Sequence, residues 1–193
     1  AGWGLVANST VQSITQAQDG AMWFGTDQGV SRYDGETWKT FTASDGLADN
    51  QILSIFQARD GAMWFGTGNF TVPGSGGGVS RYDGETWETF AASNGLGSNT
   101  VLSIFQARDG VMWFGTVGGG ISRYDGETWE TFPEVEGLSI LWVAGIVQSQ
   151  DGAMWFATRS GAIRFDGTFW QAFGVVDGLA SNTVYSLCET PGG

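Results

Sequence analysis

The phrase DGAMWFGT begins at Asp19 and at Asp60, recurs as DGVMWFGT at Asp109, and returns as DGAMWFAT at Asp151. A second phrase, YDGETW, begins at Tyr33, Tyr82 and Tyr124 and reappears as FDGTFW at Phe165. The spacing is about 40 to 50 residues, a period at which each copy is one supersecondary unit that stacks on its neighbours to bury its core. Helical repeats of this length need sustained 3.6-residue hydrophobic periodicity, and the sequence has none.

Each copy reads as four short strands separated by turns, and the second copy shows them clearly. Strand a is Ile52 to Gln57, after which Asp60-Gly61 supplies a hairpin turn, because glycine accepts the positive φ of a tight primed turn. Strand b is Met63 to Thr67, strand c is Val79 to Tyr82, Asp83-Gly84 turns the chain again, and strand d is Thr86 to Phe90. The apolar residues of a and b form continuous runs, as in strands covered on both faces. These features predict an all-β fold, a β-propeller of four-stranded antiparallel blades at residues 10–42, 51–91, 100–133 and 142–174. The whole of 1–193 forms a single propeller or partial propeller. Val184 to Cys188 is a fifth copy of strand a, so residues 183–188 are expected to be a spare inner strand.

The pattern resembles the two-component regulator propeller repeat, a phrase of the form SI…DG…W-[IF]-G-T followed by Gly, a small apolar residue, Arg and Tyr-Asp. Ser54, Ile55, Asp60, Gly61, Trp64, Phe65, Gly66 and Thr67 carry it, then Gly78, Val79, Arg81, Tyr82 and Asp83. SRYDGETW is also similar to the Asp-box hairpin of sialidase-type propellers, with its Asp displaced by one residue. The first resemblance implies a propeller that serves, in hybrid sensor proteins, as a periplasmic input module. A periplasmic or extracellular location follows as an expectation. No segment is long and apolar enough to span a bilayer, and AGWGLVANST lacks the basic start and apolar centre of a signal peptide, as a mature secreted chain would.

A propeller chain alternates between the two faces of its disc, so the short Asp-Gly turns fall on one face and the b-to-c and d-to-a connections on the other. The second face carries the variation. It holds the insertion GNFTVPGSGG, residues 68–77, and the loops around 45–50, 94–99, 135–141 and 177–182. Loops on a rigid scaffold are where binding residues concentrate. Trp142 stands where other copies have Thr100 and Thr183, Leu141 replaces a recurrent Asn, Phe70 lies in the insertion and Trp3 lies outside the repeat. Trp142, Phe70 and Trp3 are therefore candidate ligand contacts, through stacking on a sugar or gripping a peptide side chain. Asn50, Asn99 and Asn182 are candidates too, against the alternative that they cap the loop before strand a.

Strand a occurs five times and strands b, c and d four times each, so the chain reads as an excerpt of a longer array. Three arrangements satisfy this: a closed four-bladed ring, two chains completing an eight-bladed ring, and an open fragment whose spare strand pairs with another molecule. An uncovered blade face favours association, and the expected partner is a second copy of the chain, by a joint ring or strand exchange.

The chemistry is sparse. Eight Lys and Arg face 20 Asp and Glu for a net charge of -12, which argues against nucleic acid and anionic membranes. With no histidine, Ser-His and Cys-His catalysis are excluded, and a lyase-type catalytic His cannot be supplied. Arg32, Arg81 and Arg123 occupy one recurrent position, where structural pairing is expected. The Asp residues of the two turn phrases are turn makers, with no converging pair for glycoside hydrolysis and no loop with calcium-ligand spacing. No catalytic residue, metal or cofactor is expected. Cys188 has no partner for an internal disulfide and is expected to be a small buried apolar side chain. Non-enzymatic recognition of a glycan or peptide is the leading function, and a self-assembly module without a small ligand is the alternative.

Overall fold

The computed structural model describes residues 10–188. Trp3 lies outside the described residues. The repeat copies form four antiparallel four-stranded sheets in simple up-and-down order. Blade 1 comprises β1 (Val11–Gln16), β2 (Met22–Thr26), β3 (Gly29–Tyr33) and β4 (Trp38–Phe41); blade 2 comprises β5 (Ile52–Gln57), β6 (Met63–Thr67), β7 (Val79–Tyr82) and β8 (Trp87–Phe90). Blade 3 comprises β9 (Val101–Gln106), β10 (Met112–Thr116), β11 (Ile121–Tyr124) and β12 (Trp129–Phe132). A two-stranded hairpin, β13 (Glu134–Val135) and β14 (Leu138–Ser139), precedes blade 4, which comprises β15 (Val143–Gln148), β16 (Met154–Thr158), β17 (Gly161–Phe165) and β18 (Trp170–Phe173).

The core lies between blades. Trp23, Phe41 and Leu47 of the first blade and its exit loop pack on Ile52, Met63 and Phe65 of the second. Trp64, Phe90 and Leu96 meet Val101, Met112 and Phe114 in the same way, and Trp113 meets Val143, Met154 and Phe156. Phe65, Phe114 and Phe156 are fully buried, each contributing about 1.5–3 kcal/mol by leaving water. Trp64 stacks on Phe90 at 5.6 Å and tilts against Phe114 across the interface at 5.6 Å, so one indole serves both its own blade and the next. This two-sided burial is why strand b is a continuous apolar run.

Inner strand β1 packs on β5, β5 on β9 and β9 on β15, whereas β15 and β1 do not pack on each other in this way. The described residues therefore form an open arc of four blades, and the closed four-bladed ring is not formed. Blade 1 consequently presents an uncovered leading face: Ile14 is 58% exposed and Trp38 62%, while their third-blade equivalents Ile104 and Trp129 are buried and half-buried.

Residues 183–188 occupy the place of a fifth inner strand without a strand ladder. Val184 N–H donates to the Thr158 carbonyl at 2.8 Å, and the segment passes beside Gly145 of β15. Strand a owes its ladder to the following strand b, and no such strand adjoins this copy among the described residues. Cys188 is exposed for the same reason, correcting the expectation that it is buried.

Candidate functional site

The connections that vary between copies are anchored by residues that do not. In each b-to-c connection a threonine hydroxyl closes the loop on a glycine carbonyl: Thr26 on Gly29, Thr67 on Gly78, Thr116 on Gly120 and Thr158 on Gly161. In blade 2 this closure spans the insertion, which is extruded as a loop while the strands keep their register. The loop is braced locally, because Asn69 Oδ1 accepts from the Thr71 N–H at 2.9 Å and its hydroxyl at 2.6 Å. It is also tied to the next blade, where Gly74 N–H donates to Thr100 Oγ1 at 3.0 Å.

That path carries Phe70 over the inner end of blade 3 to Trp142, with ring centroids 6.2 Å apart and planes at 73°. Trp142 is held by a bridge to Val117 and by the Gly118 N–H, which donates to the Leu141 carbonyl at 2.8 Å. Arg159, in the short b-to-c connection of blade 4, completes the cluster with its guanidinium carbon 3.8 Å from the centre of the Trp142 ring. Phe70 is 44% exposed, Trp142 is partly buried and Arg159 is exposed. The Trp142 indole N–H is buried and has no hydrogen-bond partner.

The structure thus brings together Phe70 and Trp142 and adds Arg159, which sequence reasoning missed. Its signal was positional: it lies outside the recurrent arginine site, where the other copies have Asp27, Gly68 and Val117. Arg159 is also distinguished by what it does not do. Arg32 donates to Asp19 at 2.7 Å, Arg81 to Asp60 at 3.0 Å, Arg123 to Glu130 at 2.7 Å and Arg164 to Asp151 at 3.1 Å. Arg59 and Arg108 donate to backbone carbonyls. Among the described residues, Arg159 alone of the arginines donates no hydrogen bond.

The three asparagines lie in the loops and serve them. Asn50, Asn99 and Asn182 each accept through Oδ1 from the first N–H of a 3-10 turn, at Ala43, Ala92 and Val175, with distances of 2.7, 2.7 and 2.8 Å. Leu141 cannot do this, and the corresponding connection forms the β13–β14 hairpin instead, with Glu136 at φ 51°. The buried Val135 and Ile140 of this connection fill the interface between blades 3 and 4.

On the opposite face, grooves of about 320 and 390 Å³ lie between blades 1 and 2 and between blades 2 and 3. Within their walls Arg32 pairs with Asp19 and Arg81 with Asp60. The Asp-Gly turn carboxylates are likewise engaged. Asp34, Asp83 and Asp125 accept from the backbone N–H groups two and three residues on, which holds each carboxyl at about 2. Asp151 is held at about 2 by the Ser149 hydroxyl, the Ala153 N–H and Arg164. No group of three or more His, Cys, Asp or Glu side chains suited to a metal ion occurs among the described residues.

Three segments, residues 4–28, 46–69 and 95–118, match the family described as two component regulator propeller. The chain is similar to the extracellular domain of the hybrid two component system protein BT3049 from B. thetaiotaomicron, at 26% identity over 94% of its length with a TM-score of 0.75. It is similar in fold to a catalytically inactive virginiamycin B lyase from Staphylococcus aureus solved with quinupristin, at 17% identity over 88% of the chain with a TM-score of 0.68. PorZ, a surface component of the type-IX secretion system of Porphyromonas gingivalis, gives 19% identity over 92% of the chain and a TM-score of 0.65. The chain spans 25%, 57% and 29% of these three proteins respectively. No curated protein matches the sequence. The chain is a β-propeller array, and no helix among the described residues is long and apolar enough to cross a membrane.

Proposed function

We propose that this array is a non-enzymatic recognition scaffold, placed outside the cytoplasm, that holds a glycan or peptide on its variable face. The observation that carries the reading is the insertion of blade 2, which keeps its strands in register through Thr67 and Gly78 while carrying Phe70 to Trp142 in the approach to blade 4. A rigid frame with one irregular loop that exposes aromatic rings is the usual construction of a binding site. The likeness to an extracellular domain of a two component system supports the location. The absence of histidine and the engagement of the turn carboxylates support a role in binding over turnover.

The test is a glycan and peptide array probed with the wild-type chain, Phe70→Ala and a variant lacking residues 69–76. Binding that falls at least about tenfold in both variants, with unchanged far-ultraviolet circular dichroism, is the expected result. Binding indifferent to both variants removes the site from this face.

One observation favours self-assembly as a second reading. The leading face of blade 1 carries the counterparts of residues that later blades bury or half-bury, with Val11 50% and Ile14 58% exposed. Light scattering decides this reading: a two-chain mass that Ile14→Asp reduces to one supports it, and a one-chain mass for the wild type ends it.

A further inference from the structure

We propose that Arg159 anchors a carboxylate, and that the variable face takes an oligosaccharide ending in a single uronic acid; this rests on the recognition reading above. In a chain of net charge -12, an arginine with no carboxylate beside it is conspicuous, because every other arginine in the repeat has found an acceptor. Arg159 is not loose, since its guanidinium lies 3.8 Å from the centre of the Trp142 ring. Stacking on an indole uses the π face of the guanidinium and leaves its N–H edge free. That edge matches a carboxylate with two parallel hydrogen bonds, and the stacked side chain has less conformational freedom to lose on binding.

The neighbouring groups favour a sugar as the carrier of this carboxylate. Phe70 stands against Trp142 and also lines a shallow pocket of about 200 Å³, in which the amides of Gln12, Gln51 and Asn69 stand beside the apolar Ile52 and Leu53. Side-chain amides around an exposed ring suit hydroxyl groups on a flat, C–H-bearing pyranose, whereas an apolar side chain of a peptide would find no deep apolar pocket there. Asp27 lines the same pocket, which sets the acidic end of the ligand toward Arg159 and the neutral end toward Gln12 and Gln51. The overall negative charge repels polyanions over a Debye length, so one carboxylate at a local cationic point is the form this surface accepts.

Calorimetric titration with glucuronate-terminated trisaccharides, their methyl esters and a matched neutral trisaccharide tests the proposal without reliance on any one variant. Esterification and Arg159→Ala should each weaken binding about 10- to 100-fold, and their effects should not add, because both remove the same charged hydrogen bonds. Equal affinity for acid and ester, with Phe70→Ala still abolishing binding, overturns the carboxylate subsite and leaves the recognition reading standing. Binding of an aspartate-containing tripeptide in preference to every saccharide assigns the carboxylate to a peptide and overturns the saccharide assignment. No binding of any probe at millimolar concentration overturns both.

Discussion

Gly145 of β15 lies directly across from Ala157 of β16, in the cross-strand position that pairs Ser103 with Gly115 in blade 3 and Ser54 with Gly66 in blade 2. The fourth blade has exchanged the two volumes. A Cβ on Gly115 would overlap the Ser103 hydroxyl and come within 2.6 Å of the Val143 carbonyl, whereas a Cβ on Gly145 would rest 3.6 Å from the Ala157 methyl. In blades 2 and 3 the pair does not tolerate a side chain on both strands, because the next inner strand presses on the same spot, whereas the fourth-blade pair has room for a second Cβ.

Gly115→Ala should therefore destabilise the array by about 1–3 kcal/mol through overpacking. Adding Ser103→Gly recreates the fourth-blade pair and should recover part of that loss, although it sacrifices the bond from the Ser103 hydroxyl to the Val143 carbonyl at 3.1 Å. A double-mutant cycle in urea should give a positive coupling, and additive losses would show that the two sites do not share the space.

The indole N–H groups of Trp23, Trp64 and Trp113 are buried without a hydrogen-bond partner. Trp155 differs, donating to Ser149 Oγ at 3.2 Å, where the other copies have Ala17, Ala58 and Ala107. Ala58→Ser and Ala107→Ser should each raise stability by about 0.5–1.5 kcal/mol, and Ser149→Ala should lower it by a similar amount. Thermal melts of the three variants check the sign.

Acid should unfold the array within a defined window. Asp34, Asp83 and Asp125 are held at about 2 in the fold, against 3.8 for an ordinary Asp side chain. A depressed folded value gives stability that is complete above the unfolded value and is lost as pH falls toward the folded one. The urea midpoint should be flat from pH 7 to about 5 and decline between about pH 4 and pH 2. Asp83→Asn keeps an oxygen to accept the turn N–H groups and should flatten part of that decline.

Asn99→Ala removes the acceptor for the Ala92 N–H and should cost about 1 kcal/mol while leaving ligand affinity unchanged. A loss of affinity with unchanged stability would instead make Asn99 a ligand contact.

The blades were legible because their information is local. Asp-Gly turns, β-branched inner strands and the MWFGT run each state their own conformation, and fourfold repetition removes the ambiguity that a single short strand carries. Phe70 and Trp142 were legible as departures from that pattern, but their contact depends on the path of the insertion, which the Gly74 bond to Thr100 helps fix. Arg159 was hidden for a different reason: an arginine becomes informative only when the partners of all the others are known. The exposed Cys188 reflects the same gap, since repeat equivalence says which face a residue turns to but not whether a neighbour is there to cover it.

A stack of repeats ordinarily behaves as a row of dominoes, in which each unit senses only the one beside it and the ends loosen first. The contact of Phe70 with Trp142 breaks that rule by tying the second unit to the approach to the fourth. Loosening at the last blade is thereby transmitted past the third, and a molecule seated on the two rings would shorten the row's freedom to bend, turning occupancy of one loop into stiffness of the whole arc.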